Sequence, residues 1–370
     1  MRGSIKSYFP GGNTPDGYFS FFERVISWPS ARRILIIKGG PGVGKSTFMK
    51  RIARELLKEG LKLELLHCSA DTNSLDGLVV PDFKIALLDG TAPHMMDPKF
   101  PGCVDEIINL GDYWDEEGIK RGKERILELQ REYSRCYTRA YNYLKAARVI
   151  HDDLEDIYIN ATNFRLVDAK TQEILEMVFK DSPAFEKRSL ERHMFASAIT
   201  PDGLVHYLAS IFKGVEKRFV VSGYPGTGKA TFMKRVLEKA LLNGLDVEVF
   251  HCAMNPEKIE HIIIKDLNVG FVTSVKPHMI SGLKENDQII DMNFAVDPEK
   301  IKAYEEHVNF NETLFWNLID SAVKTLKDAK KIHEHVERLY VSNMNFERLD
   351  IIREQTLSRI LKYIYAESYM

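Results

Sequence analysis

The apolar positions of this 370-residue chain change period twice, in the same order each time. Short runs come first, at Ile34–Ile37, Leu63–His67 and Ile85–Leu88, with Glu106–Leu110 as a fourth. Their length and β-branched content predict buried strands. Between the first two, 45–58 has helical spacing and stops at Gly60, where a C-terminal cap belongs. A second series repeats the plan, with strands at Phe219–Val221, Val247–His251, Val269–Val272 and Gln288–Met292. Its helix covers Lys229–Leu242 and ends at Gly244. Ahead of each series stands Thr-Pro-Asp-Gly, at Thr14–Gly17 and Thr200–Gly203. That phrase reads as a helix start, with threonine as N-cap and proline in the first turn. Strand, helix, strand in this order predicts a parallel sheet with right-handed crossovers.

The period then lengthens. Ile126, Leu129, Tyr133, Cys136, Ala140, Leu144, Ala147 and Leu154 step by three and four, as do apolar residues from Ile301 to Leu339. Each series predicts a helix of about 40 residues, ~60 Å long if unbroken. One reading folds each as a helical hairpin on its own domain. The other makes it an arm that meets a protein partner. Breaks near Gly122 and Asn311 interrupt the heptads.

The two series are copies. Arg33–Cys68 aligns with Lys217–Cys252 at an offset of 184, sharing Thr-Phe-Met-Lys-Arg and a terminal His-Cys. Pro-His-Met recurs at the same offset, Pro93–Met95 and Pro277–Met279. The pattern IHxxxExxY links Ile150–Tyr158 to Ile332–Tyr340, and Asn163-Phe164 matches Asn345-Phe346. Spacing held from end to end indicates an internal duplication, 1–184 and 185–370. The polar stretch Asp181–Leu190 between them is too short for a flexible linker, so the halves are expected to pack as an intramolecular pseudo-dimer.

Composition narrows the function. A net charge of −2 argues against nucleic-acid binding driven by overall charge, leaving only a local basic patch open. The four cysteines, Cys68, Cys103, Cys136 and Cys252, form no CxxC pair and fit a reducing compartment. No apolar run approaches a membrane span, and residues 1–17 lack a signal-peptide core, so a cytoplasmic protein is expected.

The chemistry lies in the glycine loops. Gly39, Gly40, Pro41, Gly42, Val43, Gly44, Lys45 and Ser46 satisfy GxxxxGKS/T between a strand and a helix. Such glycines let backbone N–H groups turn inward around an anion, and the helix N-terminus adds partial positive charge. Lys45 is placed to reach the β- and γ-phosphates, Ser46 to hold Mg²⁺, and Thr47 to bond the α-phosphate. The chain here resembles the P-loop NTPase superfamily over the core of each half, and specifically an uncharacterised bacterial group of tandem P-loop ATPase-like proteins. The resemblance implies an α/β fold of two tandem P-loop NTPase-like domains, each a parallel sheet with flanking helices and a long helical extension. It also implies that Asp89, ending the apolar run Phe83–Asp89, is the Walker B aspartate on Mg²⁺. Gly90 stands where many hydrolytic members carry a glutamate, which leaves the water-activating residue unidentified.

The second copy keeps Gly223, Gly226, Gly228, Lys229 and Thr231, but Ala230 replaces the serine and Thr273 falls at Asp89. This reads as a degenerate or regulatory nucleotide site, unless Thr231 shifts register to replace the serine. His67, Cys68 and His94, with His251, Cys252 and His278, fall at strand ends where α/β sheets bind ligands. Three functional readings of them stay open beside plain packing: a γ-phosphate contact, a soft-metal site, or an acceptor pocket. Arg51 and Arg235 read equally as fingers or as solvated helix face; His151 and His333 read as helix packing. The expected activity is Mg²⁺-dependent binding and hydrolysis of ATP in the first half, ATP being chosen over GTP because no NKxD motif appears. The alternatives are a small-molecule or nucleotide kinase and a non-hydrolysing nucleotide-gated scaffold.

Overall fold

The computed structural model describes residues 3–183 and 185–366. Residues 1, 2, 184 and 367–370 lie outside the described residues, including the division expected at 184. In the first half the chain runs β1 (Ser4–Tyr8), β2 (Gly11–Thr14), β3 (Gly17–Ser20), β4 (Arg33–Lys38), α1 (Lys45–Lys58), β5 (Lys62–His67), β6 (Leu75–Val80), β7 (Ile85–Asp89), β8 (Asp105–Asn109), α2 (Glu116–Arg121), α3 (Lys123–Ala161) and α4 (Phe164–Phe179). The second half repeats it: β9 (Glu191–Met194), β10 (Ser197–Thr200), β11 (Gly203–His206), α5 (Leu208–Ile211), β12 (Lys217–Ser222), α6 (Lys229–Leu242), β13 (Val247–His251), β14 (Ile259–Ile264), β15 (Val269–Thr273), β16 (Gln288–Asp291), α7 (Pro298–Lys302), α8 (Glu305–Val341) and α9 (Phe346–Ala366).

Each half builds one six-stranded sheet, β1-β5-β6-β7-β4-β8 and β9-β13-β14-β15-β12-β16. The sheets are mixed, which corrects the parallel expectation. β7, β4 and β8 are parallel neighbours, but β6 runs antiparallel to both β5 and β7. The cause is a tight connection: Pro81–Phe83 form a 3₁₀ turn and Lys84 takes φ 53°, which returns the chain as a hairpin into β7. Asn268, φ 51°, does the same before β15.

Thr-Pro-Asp-Gly does not open a helix. Thr14 pairs with Gly17 across the β2–β3 hairpin. Its hydroxyl donates to the Gly17 carbonyl at 2.7 Å and accepts from Asp16 N–H at 3.2 Å. Gly17 has φ 112°, and that left-handed residue turns the chain back instead of continuing a helical turn. Thr200 repeats both bonds, at 2.8 and 3.1 Å.

One face of each sheet meets the other half in a common core. Tyr8, Phe22, Ile36 and Leu88 pack with Met194, Phe212, Phe250 and Val272. Phe9 and Phe195 exchange backbone hydrogen bonds at 3.0 and 2.9 Å. Beside them sits a buried charged cluster. Lys6 of β1 stands opposite Glu64, and Arg192 of β9 opposite Glu248, in matching registers. Arg192 donates to Glu64 at 2.6 and 2.9 Å, to Glu248 at 3.1 Å and to the Tyr8 hydroxyl at 2.9 Å, while Lys6 pairs with Glu248. Buried charges survive only when paired this completely.

The other sheet faces carry helices, and these are exchanged. α3 and α8 run antiparallel, with Trp114 bridged to Met344 at one end and Thr162 to Val296 at the other. Ala140, Leu144 and Ala147 meet Ile319, Ala322 and Leu326 along the seam. Asn311, in the expected heptad break, stays helical and donates to Asp153 at 2.5 Å. Past the crossing, Val167 and Ile174 of α4 pack with Phe232 and Val236 of α6, while Leu349, Ile360 and Ile364 of α9 pack with Phe48 and Ile52 of α1. α4 and α9 pack on the opposite half and not on their own, which corrects that reading, while α3 still reaches its own β2–β3 hairpin through Tyr141 on Asn13 at 3.1 Å and Arg148 on Asp16 at 2.6 Å. Small alanines let the two seams close on each other, and each chain end is thereby carried to the opposite half.

Candidate functional site

The first glycine loop sits between β4 and α1. Gly39, Gly42 and Gly44 have φ 147°, 70° and 90°, angles that L side chains rarely adopt. Lys45 starts the helix, and its Nζ donates back to the carbonyls of Gly39 at 2.8 Å and Gly40 at 3.0 Å. Nζ also lies 3.7 Å from Asp89 Oδ2. Ser46 Oγ accepts from Leu75 N–H at 2.9 Å, so β6 borders the hydroxyl. Thr47 follows one residue into α1, with Pro41 and the buried Val43 forming the loop's other positions.

The antiparallel strand adds a residue that sequence reasoning missed. Gly77 stands opposite Leu88, which sets Asp76 opposite Asp89 on the same face. Asp76, Asp89 and His94 offer ligand atoms all within 4.8 Å of one another. His94 Nδ1 lies 3.3 Å from the Tyr18 hydroxyl, and its ring stacks on Phe22 at 4.4 Å. Burial pushes the Asp76 carboxyl up to about 6, against the pull of His94. Burial also raises Asp89, but its contacts with His94 and Lys45 outweigh this and hold it below the ordinary carboxylate value. His94 moves the other way: burial lowers it, and Asp76 and Asp89 more than restore it. The triad has the donor set of a divalent-cation site. The signal for Asp76 was the offset of 184, which aligns it with Glu260, a carboxylate in both copies.

The second loop has the same backbone. Gly223, Gly226 and Gly228 have φ 146°, 75° and 92°, and α6 begins at Lys229 as α1 begins at Lys45. Ala230 therefore occupies the position of Ser46, and Thr231 does not shift into it. Lys229 Nζ donates to the Gly223 carbonyl at 2.6 Å. Thr273 replaces Asp89, and its hydroxyl donates to the Glu260 carbonyl at 2.7 Å. Lys258 holds Glu155 at 2.5 and 2.6 Å, at the sequence position of Ser74. Burial brings Lys229 down to about 8 and Glu260 up to about 7.

The repeated IHxxxExxY pattern finds its place here. A Cβ on Gly42 would meet the Glu337 carbonyl at 2.7 Å, and one on Gly40 would meet the Tyr340 ring at 3.1 Å. Across the molecule, a Cβ on Gly226 would meet the Glu155 carbonyl at 2.4 Å. Each loop is thus backed by the helix that left the opposite half. His333 and His151 lie on these helices beside Glu337 and Glu155, and burial lowers both against the upward pull of those carboxylates.

Other strand-end residues do not join. His67 turns away, its Nδ1 3.1 Å from the Thr72 carbonyl and its Nε2 3.2 Å from Ser7 Oγ, so His67, Cys68 and His94 form no soft-metal set. Cys68 lies against Asp76, and burial pushes its thiol far up; Cys252 repeats this beside Glu260. His251 faces His193 at 2.8 Å, and burial takes it to about 4. His278, also at about 4 through burial, lies beside His206. Arg51 pairs with Asp350 of α9 and Arg235 with Asp168 of α4, so both guanidinium groups sit on the exchanged helices, not on a loop.

The described residues contain no helix long and apolar enough to cross a membrane. The chain matches no protein-family model, no curated protein and no solved structure.

Proposed function

We propose that the first half binds a nucleoside triphosphate, ATP, as its Mg²⁺ complex and hydrolyses it, and that the second half is a degenerate, regulatory nucleotide site. The observation that carries this is the loop Gly39–Ser46. The GxxxxGKS sequence stands between a strand and a helix, with glycines at every positive φ and Lys45 folded back on its own loop. An incoming polyphosphate takes over the Lys45 ammonium from the Gly39 and Gly40 carbonyls, and the loop N–H groups close around it. Mg²⁺ is held by the Ser46 hydroxyl and Asp89, with Asp76 adjacent; bound there, it neutralises charge developing on the phosphates. The second half lacks both metal contacts, since Ala230 and Thr273 replace them. α8 rests on the first loop and pairs along its length with α3, which rests on the second; loop occupancy is read from one half to the other through this pair.

Phosphate release with MgATP tests the reading. Lys45→Ala is expected to lose at least about a hundredfold in kcat/KM, the scale of removing one main electrostatic contact, while Lys229→Ala retains turnover and loses one bound nucleotide. Equal losses in the two variants defeat the asymmetry. No affinity of the wild type for any MgNTP defeats the whole reading.

A further inference from the structure

Beside the first loop lies a cavity of roughly 140 Å³. Gly44 and Thr47, where α1 starts, line it, as does Leu110 just after β8. The remaining wall, Phe346, Leu349 and Arg353, comes from α9, which the second half contributes. The volume is below the roughly 300–1,000 Å³ of sites that enclose a whole drug-sized ligand. It suits one ring system whose remainder lies outside, and Gly44 and Thr47 of the phosphate loop and its helix are part of its lining.

Phe346 is the unusual member. It is the first residue of α9 and is 45% exposed, although an aromatic ring at this position has a neighbouring core available. Its edge lies 3.7 Å from the point where a Cβ on Gly44 would stand. Its counterpart Phe164 begins α4, is 38% exposed and lies 3.6 Å from the same point on Gly228. A half-exposed aromatic ring thus stands at the same place beside both loops, against Gly44 and Gly228. Behind it, Arg51 and Arg353 share Asp350, so a carboxylate and two guanidinium groups line the rim. In the second half Thr171 stands at the position of Arg353, buried and bonded to the Val167 carbonyl at 2.8 Å.

We propose that this cavity is the base-binding pocket of the first site, with the nucleobase stacked on Phe346, so that the second half supplies the recognition surface for nucleotide bound to the first. The inference rests on the proposed function and adds the site of nucleoside recognition. Stacking needs only a π-face, which every base has, and alanine substitution of a stacking ring costs about 1–3 kcal/mol per base.

Calorimetric titration with MgATP and with Mg-tripolyphosphate separates the pocket from the loop. Wild type is expected to bind MgATP more tightly than Mg-tripolyphosphate. Phe346→Ala is expected to weaken MgATP by roughly five- to a hundredfold, with Mg-tripolyphosphate unchanged, and Phe346→Trp is expected to restore ATP binding. If wild type binds both ligands equally, or Phe346→Ala weakens both alike or neither, the pocket is refuted and the phosphate loop stands. If wild type binds neither, both readings fall together. Folding of each variant is checked independently by its thermal unfolding transition; if Phe346→Ala does not fold, Phe346→Leu decides, where loss of ATP affinity with tripolyphosphate binding kept supports stacking and ATP affinity as in wild type refutes it.

Discussion

At the residue scale the two loops differ in charge more than in shape. Lys229 is protonated only below about 8, and Glu260 becomes anionic above about 7, both because of burial. Lys258, Glu155 and His151 face the same space from β14's lead-in and α3. Raising the pH therefore removes a positive charge and adds a negative one, and both changes oppose a polyanion. In Lys45→Ala protein, where the second loop alone remains competent, tripolyphosphate affinity is expected to fall roughly tenfold from pH 6.5 to 8.5, about one pKa unit of interaction. Titration calorimetry at the two values checks this, and an affinity that does not move removes these two groups from the site. A second residue-scale consequence lies in the central cluster. Arg192→Met leaves Glu64 and Glu248 buried with less than half their hydrogen bonds, a loss of about 3–5 kcal/mol, readable from the denaturant midpoint. A smaller loss, under about 1 kcal/mol, means that the Tyr8 hydroxyl on Glu64, with Lys6 and Lys265 on Glu248, satisfies the carboxylates without the guanidinium.

At the element scale the contact between helix and loop carries the argument. Gly226 and Gly102 have nearly the same backbone angle, φ 75° and 77°. A Cβ on Gly226 meets the Glu155 carbonyl of α3 at 2.4 Å, whereas one on Gly102 meets nothing within 4 Å. Alanine at Gly102 is expected to cost only the strain of positive φ, about 1–2 kcal/mol. Alanine at Gly226 adds displacement of α3, and a total above about 3 kcal/mol is expected, measured by chemical unfolding of the two variants side by side. Equal costs mean that α3 does not press on the loop. This contact also marks where the sequence stopped being readable. The apolar runs of β4, β5 and β7 and the glycine caps of α1 and α6 were plain, because burial and capping are local. β6 was not: Leu75–Val80 contains Asp76 and Gly77, reads as a connection, and becomes a strand only because Lys84 closes a hairpin. Asp76 was lost with it. The helical seams gave their own length but not their partner, since a stripe of Ala and Leu fits any similar stripe.

At the scale of the whole molecule, the exchange of α4 and α9 makes each half depend on the other. α4 fills the core of the second half through Val167, Ile174 and Phe179; α9 fills that of the first through Leu349, Ile360 and Ile364. A third core, containing Tyr8, Phe22, Met194 and Phe212, belongs to both. The covalent link near residues 181–190 contributes little beside these surfaces; it raises the effective concentration of one half near the other without adding a contact. A protease site inserted between Phe185 and Arg188 should therefore yield two fragments that elute together at the size of the intact chain in gel filtration. They should also unfold in a single transition, because removing either fragment uncovers two cores at once. Fragments that separate after cleavage without denaturant would show that the helices bind their own halves more strongly, and the route proposed between the two loops through α3 and α8 would fail with them.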